Sequence, residues 1–395
     1  MFIGENLENI RILSGYSRKE LADKINISEQ AIWQYETKNM MPEINKIHQL
    51  AKLFHVKTAY FISEIKDNNH NELVNKHAIA FRAKNQQISI KLLNKQYYQA
   101  NYIVMFTNYI FKYLKLPQLE IFNLLKIIDS ELGQIEEKKY FIKQTARIAR
   151  EVILNNKQNS ELLFSLEQLG IVIYEKNIDN DADAYSFWTK NDMPYIVLGN
   201  SKGITARRHF DLAHELGHIL CHRQIQFDML SNEEHKIIEQ EADLFAAEFL
   251  LPAIEFKEDF NKITKKSNPD YLTMIKEKWQ VSIQAMAMRA YYLGVMSNSQ
   301  YRYFWASINK KGYKKLEPLD EDIKLPRPVK INSLLKLLFS ENIITPNNIL
   351  DTFKVETKFL KDICNIDVNL FLKYMNKEIQ EENIISNYFN IDKYR

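Results

Sequence analysis

Apolar residues recur at helical spacing over most of this chain. Within the first sixty-odd residues the pattern predicts short helices at Glu5–Leu13, Arg18–Lys24, Glu29–Lys38 and Ile44–Phe54, with a last turn near Thr58–Ile62. Ser17 followed by Glu20 reads as a capping box, Ser28 can cap the third helix, and Ile25-Asn26-Ile27 is a tight turn between the two. A long helix is expected over Ile88–Leu116, ended by Pro117, then further helices over Ile121–Ile128 and Tyr140–Leu154. Its stripe of Tyr97, Tyr98, Tyr102, Phe106, Tyr109 and Tyr113 is expected to be helix packing or a dimer interface.

The period then changes. Gly170–Tyr174 and Tyr195–Leu198 are β-branched and aromatic runs bounded by Gly, Asn, Asp and Pro, and Tyr185–Trp188 is a candidate third strand. Helical spacing resumes around Leu212, Leu216 and Ile219, and again from Leu244 to Leu251 before Pro252 stops it. Later helices are expected at Tyr271–Trp279, Val281–Gly294, Ile331–Phe339 and, as one element, Asn347–Lys361. No internal repeat stands out. The fold class is therefore mainly α with a small sheet, α+β, divided as 1–66, 67–135, 136–300 and 301–395. These read as a bundle of short helices, a helical linker region, a region that carries the strands and their flanking helices, and a helical extension without an assigned role. Asn68-Asn69-His70-Asn71 is the expected interdomain linker.

Composition narrows the class. At 395 residues the chain should hold more than one domain. A net charge of +3 argues against a general polyanion binder or a membrane-surface protein, although local patches remain open. No run approaches the ~18 apolar residues of a membrane span. Met1–Glu5 has neither the basic nor the apolar region of a signal peptide, so a cytoplasmic protein is expected. Two cysteines, Cys221 and Cys364, give no disulfide framework, and Cys221 is expected to be a small buried residue rather than a ligand.

The chemistry lies in His214-Glu215-Leu216-Gly217-His218. On a helix, i and i+4 share a face, so two imidazoles point to one place with Glu215 beside them. A hydrolytic zinc site takes three protein ligands and keeps a fourth position for water. Glu239 is the expected third ligand, because Asp243 then falls at i+4, where it can accept the second ring N–H of a ligating histidine. Glu241 points about 160° away on the same helix and reads as a solvated or structural carboxylate. The plain alternative is an amphipathic helix pair with surface acids. It is disfavoured because burying two histidines and two acids costs free energy unless a metal or mutual pairing offsets it. A sheet edge beside the helix would suit an extended peptide. Tyr185, Tyr195, His209 and His222 are candidates for stabilising an oxyanion, and His222, two turns from His214 on the same face, is expected to lie behind the ligands or at the surface rather than to be a ligand.

The run from Arg207 to His222, with R-x-F before HELGH, followed by Glu239 to Pro252, resembles the ImmA/IrrE family of zinc-dependent endopeptidases. The resemblance implies a compact gluzincin-like fold in which His214, His218 and Glu239 hold Zn2+ and Glu215 activates water. It also implies a protein substrate such as a DNA-binding repressor, and often a fused DNA-binding domain.

Residues Ser17 to Glu36 are similar to the phage-repressor (Cro/C1, XRE-type) helix-turn-helix. In that motif the second helix enters the major groove, so Glu29, Gln30, Trp33 and Gln34 would face base edges of an operator duplex, with Arg18, Lys19 and Lys38 near phosphates. Basic and acidic residues nearly balance over this segment, so its long-range attraction to DNA should be weak; a homodimer is expected, and dimerisation or docking on another repressor would compensate. The alternative reading of the whole chain is an antitoxin-like regulator that represses its own operon and neutralises a cognate toxin, with the zinc fold as scaffold or sensor.

Overall fold

The computed structural model describes residues 1–63, 73–75, 79–81, 90–156, 158–176, 184–199 and 203–377. The expected linker Asn68–Asn71 lies outside the described residues. In chain order the first helices are α1 (Gly4–Leu13), α2 (Arg18–Ile25), α3 (Glu29–Lys38), α4 (Ile44–Phe54) and α5 (Ile90–Phe111). Next come α6 (Ile121–Leu132), α7 (Lys138–Leu154) and α8 (Leu162–Leu169). The strands are β1 (Ala80–Phe81), β2 (Val172–Lys176), β3 (Ala184–Trp188) and β4 (Pro194–Gly199). They are followed by α9 (Thr205–Cys221), α10 (Asn232–Leu250), α11 (Ala253–Asn261), α12 (Thr273–Trp279), α13 (Ile283–Tyr292) and α14 (Asn298–Lys311). Last are α15 (Lys330–Ser340), α16 (Pro346–Phe353) and α17 (Thr357–Cys364). The fold is α+β, and among the described residues no helix is long and apolar enough to cross a membrane.

The described residues form two compact units. One takes residues between Met1 and Val74, between Gln87 and Leu116, and from Val329 onward; the other takes the remainder up to Pro328. This division cuts across the four consecutive segments expected above. The 67–135 region is shared, α5 going to the first unit and α6 to the second, and the 301–395 region divides at Pro328. Packing explains both splits. The middle of the aromatic stripe is covered within the chain: Phe353 meets Tyr102, Phe106 and Tyr109 with ring centroids 6.0, 5.8 and 5.3 Å apart, and Phe359 meets Tyr102 at 5.1 Å. Residues before Pro328 are fastened instead by Lys276, which is fully buried and donates to Glu317 at 2.9 Å and Asp320 at 2.6 Å. A buried ammonium needs such partners, so this segment cannot leave without stranding the charge.

In the first unit the capping box forms as predicted. Glu20 N donates to Ser17 Oγ at 3.1 Å and Ser17 N to Glu20 Oε2 at 2.7 Å. Asn26, at φ 52°, ends α2 in the left-handed conformation that turns the chain into α3. Arg11 on α1 donates to Glu36 on α3 at 2.5 and 3.0 Å, a bidentate pair in the interior of the bundle.

In the second unit the sheet order is β1-β3-β4-β2, with β2 parallel to β4 and the other pairs antiparallel. Ala80 stands opposite Ser186 and Phe81 opposite Tyr185. Helix α9 lies against β3 and β4, and α10 packs on α9 and α7. Leu212, Leu216 and Ile219 of α9 and Phe245 and Phe249 of α10 belong to one buried cluster. Close approach of these helices depends on Gly217, where a Cβ would meet Phe245 side-chain carbons at 3.2 Å. The sheet and the helix pair thus place the HExxH face of α9 between β3 and α10.

Candidate metal centre and DNA-facing helix

His214, Glu215 and His218 lie on α9, and Glu239, Glu241 and Asp243 on α10. His214 Nε2 and His218 Nε2 are 3.1 Å apart, and Glu239 reaches them at 3.4 and 3.3 Å. Three ligands at bond lengths near 2 Å from a tetrahedral ion would be separated by about 3.3 Å, so the spacing fits a metal. Among the described residues, these three form the group whose ligand atoms fall within 4.8 Å of one another.

The hydrogen bonds around the triad assign its tautomers. Asp243 Oδ1 accepts from His214 Nδ1 at 2.9 Å, which leaves a lone pair on His214 Nε2. On the other side, His222 Nε2 donates to Glu241 Oε2 at 2.9 Å, so its Nδ1 is left to accept from His218 Nδ1 at 3.0 Å. His218 Nε2 therefore also carries a lone pair. Burial, acting against the charged form, lowers the His218 pKa to about 3, so the ring is neutral near pH 7. Two lone pairs and a carboxylate meeting in a buried place repel one another unless a cation sits among them, and this donor set fits a divalent metal.

Glu215 is buried at 1 % exposure and stands apart from the triad. Its Oε2 accepts from Ser186 Oγ of β3 at 2.7 Å. Sequence reasoning missed Ser186 and the pairing of Glu241 with His222; a place for His222 behind the ligands or at the surface, rather than among them, was expected. Glu241 was expected to be solvated or structural; it holds His222, because that ring lies two turns along α9 from His214, on the flank to which Glu241 points. The signal present in sequence was the continued i, i+4 spacing of His214, His218 and His222. Of the oxyanion candidates, His222 is engaged by His218 and Glu241, and His209 donates from Nδ1 to Gln280 O at 3.1 Å. Tyr185 is fully buried, which pushes its phenol above the usual range. Cys221 is outside the triad and half-buried rather than buried as expected, and burial around its thiol pushes it up to about 12. The sheet edge expected to suit an extended peptide was not assigned to a strand; on the β3 side the chain's own β1 stands opposite Ser186.

On α3, Glu29, Gln30, Trp33 and Lys38 are exposed and Gln34 is half-buried, so the residues expected to face bases share one side. Lys38 Nζ lies 5.6 Å from the Trp33 ring centre, and Lys19 is exposed on α2. Arg18 differs from the expectation of a phosphate contact. Its guanidinium donates to Glu36 at 2.7 Å and Glu8 at 3.3 Å, the buried Glu36 Oε2 accepting from Arg18 as well as from Arg11 because a carboxylate oxygen has more than one lone pair to satisfy.

Comparison with known proteins finds similarity in two of these parts. Residues 7–61 match the helix-turn-helix family, and residues 166–291 match the peptidase M78 family, described as the IrrE N-terminal-like domain. The chain joins a helix-turn-helix domain to an IrrE-like domain. The IrrE-like match begins in α8 and ends in α13, so it contains the sheet strands β2 to β4 and both helices of the triad. The chain is also similar to the HTH-type transcriptional regulator ImmR of Bacillus subtilis (strain 168), at 32 % identity over 78 residues. That match spans 19 % of this chain and 61 % of the relative.

Proposed function

We propose that this chain is a zinc-dependent endopeptidase coupled to a DNA-binding domain, acting in the cytoplasm on a transcriptional repressor or another regulatory partner. The observation that carries the reading is the convergence of His214 Nε2, His218 Nε2 and Glu239 beside a separate carboxylate, Glu215, held by Ser186. His214, His218 and Glu239 would hold zinc, which when bound polarises a carbonyl and lowers the pKa of water toward ~7. Glu215 accepts the proton of the attacking water and delivers it to the leaving amine. The Ser186 hydroxyl fixes the orientation of that carboxylate. Asp243 and the Glu241–His222 relay keep both Nε2 atoms unprotonated and aimed at one point. The helix-turn-helix directs the chain to operator DNA, where Gln30 and Gln34 suit adenine and a homodimer reads two half-sites. A transcriptional regulator among its relatives supports the regulatory setting.

The test is incubation of zinc-loaded protein with the products of neighbouring genes, followed by mass spectrometry for new peptides. Glu215→Gln should retain metal and cut nothing, whereas His218→Ala should lose the metal. A Glu215→Gln protein that cuts at the normal rate would falsify the peptidase reading. The similarity to ImmR favours a second reading, a DNA-binding regulator in which the metal site is a sensor. Zinc-dependent operator binding with no peptide released from any partner would select it.

A further inference from the structure

The segment Asn347–Lys361, expected as one helix, is broken at Lys354, which has φ 55° in the left-handed region. The break reproduces the turn after α2, where Asn26 has φ 52°. A constant offset in sequence then relates the two ends of the chain. Thr345 and Asn348 form a capping box on α16, as Ser17 and Glu20 do on α2, and both helices are 8 residues long. Leu21, Ala22 and Ile25 are buried in one, and Ile349, Leu350 and Phe353 in the other. Ile32 and Tyr35 of α3 correspond to Leu360 and Ile363 of α17, and Leu7 and Ile10 of α1 to Leu335 and Leu338 of α15, all buried. Where the first motif buries the Arg11–Glu36 ion pair, the second buries Phe339 and Cys364. A repeat is thus present that was not apparent in the sequence, since burial and turn geometry are kept while residue identities are not.

We propose that α15–α17 form a second helix-turn-helix module and that α17 is a second DNA-facing helix. On α3 the positions turned outward are Gln30, Trp33, Gln34 and Thr37; their counterparts are Lys358, Lys361 and Asp362 on α17 and Asn365 at its C-cap, all exposed. Lysines there suit phosphate oxygens and guanine edges. Asp362 and Glu356 are the acidic groups near them, and Lys358 Nζ also lies 2.7 Å from His55 Nε2. The second module is fixed to the first. Lys57 N donates to Lys354 O at 2.8 Å, Glu356 N to His55 O at 3.0 Å, and Lys57 Nζ pairs with Asp351 at 2.6 Å. Duplex captured by α3 is therefore at high local concentration for α17.

The experiment uses the full-length chain and a fluorescein-labelled, mixed-sequence duplex four helical turns long, titrated by anisotropy over a series of salt concentrations. Lys358→Ala with Lys361→Ala should weaken binding about tenfold and reduce the slope of log K against log salt by about 1.8, at about 0.9 for each phosphate no longer neutralised. Lys358→Arg with Lys361→Arg should retain the slope. An unchanged slope in the alanine pair overturns the proposal and leaves the α17 face to a protein partner. Equal weakening in the alanine and arginine pairs marks damage to the module rather than the absence of two cations, and overturns it too.

Discussion

His222 Nδ1 stands 3.0 Å from His218 Nδ1 and accepts its proton, so a residue outside the triad determines which nitrogen of His218 is offered to the metal. Removing such an outer partner typically costs 10–100-fold in metal affinity. We expect His222→Ala to weaken zinc binding by about that range, measured by competition with a chromogenic chelator, and Glu241→Gln to weaken it less. Unchanged affinity in His222→Ala would show that His218 needs no help to present Nε2.

Ser186 should matter to turnover and not to metal content. Its hydroxyl donates to Glu215 Oε2 at 2.7 Å, and hydrogen bonds to charged groups contribute about 1.5–3 kcal/mol. Ser186→Ala should therefore lower kcat at least about tenfold on any partner found to be cut, with zinc stoichiometry intact by elemental analysis. Loss of zinc from this variant would mean that the serine supports the fold of the site rather than the base.

Much of this site could be read from the chain because its parts lie on single helices. The i, i+4 rule places His214 with His218 and Glu239 with Asp243 without any knowledge of tertiary structure, and Ser17, Glu20 and Ser28 cap the helices where their spacing says they should. What could not be read depends on pairing between distant segments. Ser186 is one polar residue in a buried strand, and nothing in its neighbourhood names Glu215 as its partner. The angle of Glu241 around α10 was sound, but it omitted what the far end of α9 would bring to that flank. The break at Lys354 was invisible because a non-glycine residue takes the left-handed turn, so apolar spacing ran through it as one helix. Likewise, α15–α17 carry ordinary amphipathic patterns; the aromatic side chains that join them to α5 have no spacing signature in sequence.

Gly217 offers a test of the helix contact that brings Glu239 to the histidines. A methyl group there would sit 3.2 Å from three atoms of the Phe245 side chain, tighter than ordinary van der Waals contact, so Phe245 or the helix that carries it must give by a few tenths of an ångström. Overpacking of this kind costs typically ~1–3 kcal/mol. Gly217→Ala should lower the urea midpoint accordingly and also weaken zinc binding, since Glu239 rides on the displaced helix. Phe245→Leu in the same protein should recover part of both by making room. If Gly217→Ala is as stable and as tightly metallated as the parent, α9 and α10 do not pack closely at this point.

Acid sensitivity should trace in part to His209. Its ring is fully buried, and burial lowers its pKa from 6.5 to about 4, against the favourable hydrogen bond to Gln280 O. Between those values the unfolded chain binds a proton that the folded chain does not, so stability rises with pH across this window. The contribution is complete above about pH 6.5 and is lost progressively as pH falls to about 4, amounting to about 3 kcal/mol for a shift of this size. His209→Gln keeps a donor for Gln280 and removes the titration. Urea unfolding of both proteins in chelator, so that His218 contributes equally to each, should give a flatter dependence for the variant between pH 6.5 and 4. Parallel curves for the two proteins would place the acid-labile group elsewhere.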